Sequence, residues 1–513
     1  MAGRERLAGG TGHLRELTGP LKTKTFRELW VGNLASTFGT MMQMVGASWL
    51  MLTLTQSPQM VALVQSCVTL PLVMLSLIGG AMADTFDRRR IMLGAQLFML
   101  VASAGLTALA FLGLLTPTLI LFFTLLIGAG GAINNPTWQS SLRDLLGNKE
   151  ITSAVALNSM GFNMMRTVGP AVGGAILTVS GASMLFLLNT FSYLPMITGL
   201  LRWKGHSTPP TSGREPLTSA LASGLRYSSM SPGLLRVLLR GTVFCACGVP
   251  VQALLPVVAG DVLEGGPELY GILLGAFGVG AFVAAFLLPM SRKLVSNEGI
   301  VRLAFVALGV SSILLVWGGF VWTAIIAMAV AGCCWVTSMA LYNTIIQLST
   351  PRWVVGRSLS ILYTGLFGGM TLGSWMWGML AEAHGTQLAM TTAGVLLILS
   401  AGLGLILPVP AISSDDLEPL NRFREPERRV AFSPRKGPIA VTISYRIAKA
   451  NEAAFLMAMR QRRRIRRRDG ALGWTLLRDV QAPDVWWEVY TVRTWADYVR
   501  HNERRTRADA VNI

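Results

Sequence analysis

The sequence predicts an all-α polytopic membrane protein, with twelve transmembrane helices in two six-helix pseudo-symmetric halves, and a small cytoplasmic α+β domain of the ferredoxin-like type. Of its 513 residues, 52% are hydrophobic and only 14% are charged, whereas about 25% are charged in an average soluble protein. The net charge of +18 is concentrated at the ends: residues 1–27 carry +4 and residues 409–513 carry +8. This composition excludes a disordered chain, and five cysteines in this length exclude a disulfide-rich secreted scaffold.

Twelve apolar runs are long enough to cross a bilayer, which takes ~20 residues in a helix. Because the runs are unbroken rather than alternating, they predict helices and not the strands of a barrel. The runs cover residues 30–54, 61–83, 91–115, 118–138, 151–179, 184–203, 237–257, 270–290, 300–320, 322–348, 358–381 and 388–409.

Basic residues occur in only one of the two sets of loops between these runs. This set contains Arg88, Arg89, Arg90, Arg143, Lys149, Arg202, Lys204, Arg214, Arg226, Arg292, Lys293, Arg352 and Arg357. The opposite loops, around residues 56–59, 115–118, 180–183, 260–268, 318–322 and 382–385, contain no Lys or Arg. Since Lys and Arg accumulate in cytoplasmic loops, we expect the basic loops and both termini to be cytoplasmic. No apolar h-region precedes Leu29, so no signal peptide is predicted.

The longest loop between spans divides the membrane part into six plus six. The predicted parts are a cytoplasmic N-terminal tail at 1–27, a first half at 28–203, an inter-half loop at 204–235, a second half at 236–409, a linker at 410–437 and a cytoplasmic α+β domain at 438–513. A local repeat supports duplication, because Asn135 and Gln139 end the fourth span as Asn343 and Gln347 end the tenth. A basic residue, Arg357 in the second case, follows each pair; coincidence of common polar residues is the alternative. Two parallel repeats suit a transporter that binds its substrate between halves.

The loop after the second span, residues 79–90, resembles the signature loop of the major facilitator superfamily, G-x-x-x-D-R/K-x-G-R-R/K. Four positions match it: Gly80, Asp84, Arg88 and Arg89. Thr85 replaces the first cation of the motif and Asp87 its second glycine. The resemblance implies a gate in which Asp84 engages another helix end, and an arginine pairs with an acid after the fourth span, for which Asp144 is the candidate. An ordinary basic loop is the alternative.

The fifth span contains a group of small residues and a proline: Gly169, Pro170, Gly173 and Gly174. The glycines permit close helix contact, and the proline removes a backbone hydrogen bond and bends the span. The group resembles the antiporter-associated motif of the superfamily. The match is partial, because the upstream glycines of that motif fall on Ala156 and Met165.

Arg166 is the most informative single residue, because a charge within a span is costly and usually faces a cavity or a partner. One interpretation is a cavity cation that meets an anionic or catechol-like substrate. The other is an arginine near the cytoplasmic end of its span that reaches the interface or pairs with Asp144. No Asp, Glu or His lies mid-span, so no residue is identified for the proton coupling that the family implies.

Polar and aromatic residues on the spans form the predicted substrate cavity. The set is Asn33, Gln43, Gln65, Asn135, Trp138, Asn163, Arg166, Gln252, Asn343 and Trp375. For each amide or tryptophan alone, an interhelical hydrogen bond or an interface position is the alternative. The cysteines lie in apolar spans without neighbouring histidines, so no metal site and no cofactor are predicted.

Several stretches narrow the resemblance to bacterial exporters of the enterobactin-exporter type, known as transmembrane secretion effectors. They are residues 26–30, 48–50, 136–139, 163–170 and 356–358. The resemblance covers about residues 20–410. It implies a transporter of the bacterial plasma (inner) membrane and not an enzyme.

The C-terminal part is predicted to form strands at 440–447, 473–480 and 485–492 and helices at 450–468 and 494–507. This β-α-β-β-α order resembles the dimeric α+β barrel of antibiotic-biosynthesis-monooxygenase-like modules, which implies homodimerisation through this domain. The first helix carries seven arginines between Arg460 and Arg468. Because a helix tethered beside a membrane meets anionic lipid first, lipid or solvent is favoured over an acidic protein, and no nucleic-acid partner is expected.

Together these features predict a secondary active transporter. It would export a small organic molecule, such as a siderophore, a secondary metabolite or a drug, by alternating access and by proton antiport. One alternative is a lipid or lysolipid flippase. The other is a membrane-anchored enzyme or sensor whose C-terminal domain carries the activity.

Overall fold

The computed structural model describes residues 19–147, 150–203, 217–351, 353–410, 420, 423–425, 433, 436–504 and 506–507. The chain divides into two compact units. The helical unit comprises residues 1–212, 239–341 and 363–408, and the mixed unit comprises residues 213–238, 342–362 and 409–513.

The first half of the predicted membrane part consists of six helices. They are α1 Lys24–Thr55, α2 Pro58–Thr85, α3 Arg88–Phe111, α4 Pro117–Leu145, α5 Ile151–Ser192 and α6 Leu194–Arg202. Their starts follow from local chemistry: Ser57 and Thr116 accept hydrogen bonds from Met60 N and Leu119 N, and each is followed by a proline at the first helical position. These are preferred cap and first-turn residues, because the first backbone N–H groups of a helix lack helical partners.

Helix α7 Leu217–Met230 precedes the second half and lies inside the segment predicted as a loop. The second half follows as α8 Pro232–Gly248, α9 Pro250–Ala253, α10 Leu255–Val257, a π-helix Val258–Val262, α11 Pro267–Leu294, α12 Asn297–Trp317, α13 Val321–Leu348, α14 Val355–His384, α15 Thr386–Ala401 and α16 Leu403–Ile406. The predicted seventh run is thus interrupted. Pro250 is the first residue of α9 and Pro256 is the second residue of α10, and neither proline can donate the backbone hydrogen bond that would continue the preceding helix.

By length and hydropathy, nine helical segments of the described chain could cross a membrane. One of them, Ser153–Arg202, has 50 residues and would extend about 75 Å at 1.5 Å per residue. That is more than twice the thickness of a bilayer core, about 30 Å. Gly181, near its middle, has φ 74° and is not helical.

The chain reverses at Gly181, as its packing on α1 shows. Before the reversal, Gly161 lies against Trp30 and Leu34, and Gly173 lies against Met42 and Val45, so the two segments run parallel. After it, the order on α1 is inverted: Leu185 lies against Gly46, Asn189 against Gly39 and Met196 against Gly32. The 50-residue segment therefore forms two antiparallel arms on the same helix.

The second half repeats the parallel pair. Gly365 and Gly369 of α14 approach Thr242 of α8, and one turn further along, Gly373 and the Trp377 indole meet Ala246. The α8–α14 pair thus corresponds to α1 and the first arm of α5. This agreement supports two related halves.

The C-terminal domain of the mixed unit has the predicted element order, with ends that differ by a few residues. Its elements are β1 Ile439–Arg446, α17 Glu452–Asp469, β2 Leu472–Arg478, β3 Val485–Val492 and α18 Trp495–Glu503. The three strands that the structure describes form an antiparallel sheet in the order β1-β3-β2. Since β3 lies between β1 and β2, the sheet is a split β-α-β unit.

A carboxylate lies in the core of this domain. Glu488 is fully buried and accepts hydrogen bonds from Tyr445 Oη at 2.7 Å, Trp474 Nε1 at 2.8 Å and Arg466 Nε at 3.1 Å. Burial opposes its charge, but Arg466, these hydrogen bonds and Arg462 outweigh burial and lower the pKa of Glu488. The carboxylate is therefore charged in the folded domain, and its contribution to stability is lost only as the pH falls towards that lowered pKa.

The arginine-rich helix does not present its seven arginines to one surface. Arg462 and Arg466 point inward to Glu488. Arg460, Arg463 and Arg467 are exposed and fall on one helical face, because their spacing is three, then four residues. Because of the helical period, some arginines of this helix face the core of the domain and others face the surface.

Candidate functional site

The two halves of the helical unit meet along α2 and α14. Ser57 Oγ donates to Glu382 Oε2 at 2.7 Å, and Ser66 Oγ donates to the Thr371 carbonyl at 3.0 Å. The hydroxyls of Thr69 and Thr371 are 2.8 Å apart. These contacts join the beginning of α2 to the end of α14.

A second contact between the halves joins α5 to α11. The backbones of Gly174 and Gly271 touch, since a Cβ on either residue would collide with the Cα of the other. Nearby, the rings of Trp49 and Tyr270 stack with their centroids 5.8 Å apart. Small residues permit such backbone approach between membrane helices.

These contacts lie towards one end of the helices. It is the end where α1 and α14 finish and where α2 and α11 begin, and its loops contain no Lys or Arg; we call it the neutral end. The other end, where the loops contain Arg88 to Arg90, is the basic end. The halves therefore close on each other towards the neutral end.

Arg166 lies on the inner side of α5. Gly169 on this helix faces α1, and Thr167 faces α11. Arg166 occupies the arc between these two faces, whereas the exposed Met164 and Val168 lie on the opposite side. Arg166 is half-buried and within electrostatic range of the Cys245 thiol on α8 of the other half. It therefore points into the space between the halves.

The alternative pairing of Arg166 with Asp144 is absent from the structure. Asp144 instead accepts from Arg88 Nη1, at 2.9 Å through Oδ1 and 2.8 Å through Oδ2. Among the residues that the structure describes, no acidic side chain forms an ion pair with Arg166.

Two of the predicted cavity residues are held inside the first half. Gln43 is buried and accepts a hydrogen bond from Asn189 Nδ2, which also lies 3.1 Å from Tyr193 Oη. Trp138 is buried, donates to Asn158 Oδ1 at 2.9 Å and stacks on Phe26. Their polar groups are engaged between helices, which was the alternative for these residues.

The other predicted cavity residues lie in several environments. Asn33 on α1 is half-buried, Gln65 on α2 is buried, Asn135 on α4 is exposed, Trp375 on α14 is half-exposed, and Asn343, in the mixed unit, accepts a hydrogen bond from Gln347 Nε2 at 3.0 Å. The side chain of Asn163 lies outside the described residues. Gln252 is in the interrupted segment on α9, and its buried Nε2 has no hydrogen-bond partner among described residues.

Arginines at the start of α3 tie together the basic ends of the first half. Arg88 bonds Asp144 and the Ser140 carbonyl on α4. Arg89 donates to the Leu200 carbonyl at 2.7 Å and the Leu201 carbonyl at 3.0 Å, at the end of α6. The side chains of Gly80 and Asp84 lie outside the described residues, so the role of Asp84 and the gating role of this network stay predictions.

The second half contains a comparable network that the sequence analysis missed. Arg240 on α8 is fully buried and donates to Glu298 on α12 at 2.5 and 2.6 Å. Glu298 also accepts from Arg302 Nε at 2.7 Å, and Arg302 Nη2 donates to the Gly404 carbonyl at 2.6 Å. The available signal was the Glu298–Arg302 spacing of four residues, which places both on one helix face.

Changing Asp144 to Asn should release Arg88 and shift the conformational balance without weakening substrate binding. The pair is partly exposed, 14% and 22%, so its loss should cost no more than about 1 kcal/mol. Cysteine-accessibility labelling at both ends of the protein measures the shift. Arg90→Gln, a change at an 88% exposed side chain, is the control; equal labelling of both variants would disprove a gating role for Asp144.

Comparison with known proteins decides the family. A model of the transmembrane secretion effector family matches residues 17–512. The chain belongs to this family. It is therefore a major facilitator superfamily transporter and not an enzyme, which confirms the family resemblance of residues 20–410.

Curated relatives of this secretion effector include transporters of two kinds. The Staphyloferrin A transporter of Staphylococcus aureus is 24% identical over 360 residues, which are 70% of this chain and 89% of the relative. The Multidrug efflux pump Tap of Mycolicibacterium fortuitum is 23% identical over 400 residues, 76% of this chain and 96% of the relative. The Enterobactin exporter EntS of Shigella boydii is 24% identical over 372 residues, 70% and 83% of the two chains.

Solved structures agree with the fold of the secretion effector. A bacterial homolog of the human lysosomal transporter Spinster has a TM-score of 0.60 at 15% identity, covering 76% of this chain and 97% of that one. The nucleoside transporter NupG has a TM-score of 0.57 at 11% identity, covering 74% and 98%. At these identities the likeness shows the fold alone.

Proposed function

We propose that this secretion effector exports a small anionic organic molecule from the bacterial cytoplasm by alternating access. The observation that carries the proposal is Arg166, a half-buried cation on the inner side of α5 that no described acid neutralises. A charge in such a position usually serves a pathway or a ligand. Siderophore transporters and multidrug pumps among the relatives support this substrate class.

The proposal includes twelve crossings of the membrane. The nine apolar segments include the double crossing at Ser153–Arg202, and α1 and α14 add two helices of 32 and 30 residues. The basic end is proposed to be cytoplasmic. Closure of the halves towards the neutral end then corresponds to an inward-facing state, in which Arg166 is reached from the cytoplasm.

Substitution of Arg166 tests the proposal. Arg166→Gln should lower the export rate of a carboxylate or catecholate substrate about tenfold or more, because hydrogen bonds to charged groups contribute about 1.5–3 kcal/mol. Arg166→Lys, which keeps the charge, should retain part of the rate. Initial rates in everted vesicles, with substrate concentration varied, separate a binding defect from a turnover defect.

Arg90→Gln is the control for charge removal at an exposed site. Equal rates for Arg166→Gln and the control would overturn the role of Arg166. If purified protein moved labelled lipid in liposomes, with no competition from water-soluble anions, the lipid flippase would replace this proposal.

Collapse of export by a protonophore is the expected result for proton antiport.

Two further roles are proposed for the C-terminal domain. The sheet edge formed by β1 has a strand on one side only among the described strands, which supports a ferredoxin-like domain that dimerises, since open edges and faces favour partners. The exposed stripe of Arg460, Arg463 and Arg467 supports binding to anionic lipid, which attracts basic residues near the membrane surface.

A further inference from the structure

The mixed unit contains a row of two adjacent aromatic side chains flanked by two arginines. The guanidinium of Arg468 lies 5.2 Å from the centroid of the Tyr227 ring, and that of Arg504 lies 4.2 Å from the Trp353 ring. The Tyr227 and Trp353 rings meet edge to face with centroids 5.6 Å apart. Two arginines of the C-terminal domain thus enclose an aromatic pair from elsewhere in the chain.

The aromatic pair comes from the transporter region. Tyr227 is a buried residue of α7, which immediately precedes α8, and Trp353 lies between α13 and α14. Cation–π contacts with tyrosine and tryptophan are stabilising, and they are stronger when the pair is removed from water. Tryptophan, tyrosine and arginine are also the residue types most enriched among those that contribute most of the binding energy at protein interfaces.

A third arginine caps α7. Arg464 donates from Nη2 at 2.9 Å and from Nε at 3.3 Å to the Met230 carbonyl, the last residue of that helix. Terminal helix carbonyls have no helical partner and carry partial negative charge. Arg464 therefore satisfies an acceptor that α7 cannot satisfy alone.

The same helix α7 holds Arg357. Arg357 Nη1 lies 2.5 Å from Ser223 Oγ, and the Arg357 side chain packs against Gly224. Arg357 stands in the first turn of α14. A continuous set of contacts thus runs from the C-terminal domain through α7 to the start of α14.

We propose that the C-terminal domain is an intramolecular brace of the second half. Through the arginine–aromatic row and the Arg464 cap, it fixes α7 and the segment before α14, and thereby positions Arg357. The second half can then move as one body during alternating access. The role as a brace rests on the proposed transport function, whereas the docking of the C-terminal domain on α7 does not.

Hydrogen exchange and transport of the full-length protein together test the brace. We compare Arg464→Ala combined with Arg504→Ala, made on the domain side, with Trp353→Ala, made on the transporter side. Arg468 is kept, because it also pairs with the buried Asp469 at 2.9 Å. In both variants the α7 amides should exchange about tenfold faster, a factor that corresponds to about 1.4 kcal/mol, and export should fall at least threefold (roughly 0.65 kcal/mol at the same conversion).

Gln461→Ala is the matched control, since this exposed residue is on the same helix and should change neither measurement. Unchanged protection of β2 and β3 shows that the variants keep the domain folded. Unchanged exchange of α7 would overturn the docking, and faster exchange with unchanged or increased export would overturn the brace. A wild type without export would instead contradict the transport function while leaving the exchange result valid.

Discussion

Replacement of Gly174 by alanine should abolish most export and hold the transporter open at the neutral end. The new Cβ would collide with the Cα of Gly271, which is backbone and cannot rotate away. Overpacking of this kind costs about 1–3 kcal/mol. Because the collision exists only while the halves are closed there, the closed state should lose population by roughly five- to 150-fold.

Gly275→Ala is the matched control on the same interface. Its Cβ would lie 3.4 Å from the Ala171 Cβ, an ordinary contact. Both changes improve helix propensity equally, by about 1 kcal/mol, so a difference between them reports the collision. A cysteine placed at Thr371, in a background without native cysteines, should label faster only in Gly174→Ala. Equal labelling and equal export would show that the contact does not limit closure.

Replacement of Glu298 by alanine should strongly destabilise the second half. Arg240 is fully buried and donates to Glu298 at 2.5 Å, and its Nε and Nη2 form no hydrogen bond with described residues. Removal of one partner of a buried ion pair costs about 3–5 kcal/mol, because the other charge remains buried without compensation. The apparent Tm in detergent should fall accordingly.

Glu268→Ala, at an exposed position in the first turn of α11, is the control and should leave the Tm nearly unchanged. Combining Glu298→Ala with Arg240→Met removes the stranded charge and should restore much of the lost stability. If Glu298→Ala is as stable as the control, or if the second change gives no recovery, the buried pair is not what stabilises this region.

Much of the architecture can be predicted from the amino-acid sequence, because the bilayer requires a certain length and hydropathy of each span. Arg88 to Arg90 and the opposite loops without Lys or Arg predicted which helix ends belong together, and the β-α-β-β-α order of the C-terminal domain followed from the residue pattern of its strands and helices. The interruption at Pro250 and Pro256 was missed, since the segment is apolar throughout. An apolar sequence indicates that a segment lies away from water, but it does not indicate whether the backbone hydrogen bonds of a helix run through it without interruption.

The site was less predictable, because the same polar side chain can bond a neighbouring helix or face a cavity. Gln43 and Trp138 form hydrogen bonds to a neighbouring helix, and their partners Asn189 and Asn158 lie at distant positions in the chain. The sequence could name Arg166 as a costly charge, but its two interpretations differed only in which way the helix face points. The structure pairs Asp144 with Arg88 and shows no pair between Arg166 and Asp144.

Composition and the order of charges alone established a polytopic membrane protein with basic loops on one side and loops without Lys or Arg on the other, because these properties depend on the chain itself and not on specific neighbours. Three-dimensional packing was required for everything that depends on a specific neighbour: the Gly174–Gly271 approach, the buried Arg240–Glu298 pair, the division of the arginine run between Glu488 and the surface, and the arginine–aromatic row. Each joins residues far apart in sequence, whose meeting is determined by helix rotation and tertiary contact rather than by local pattern.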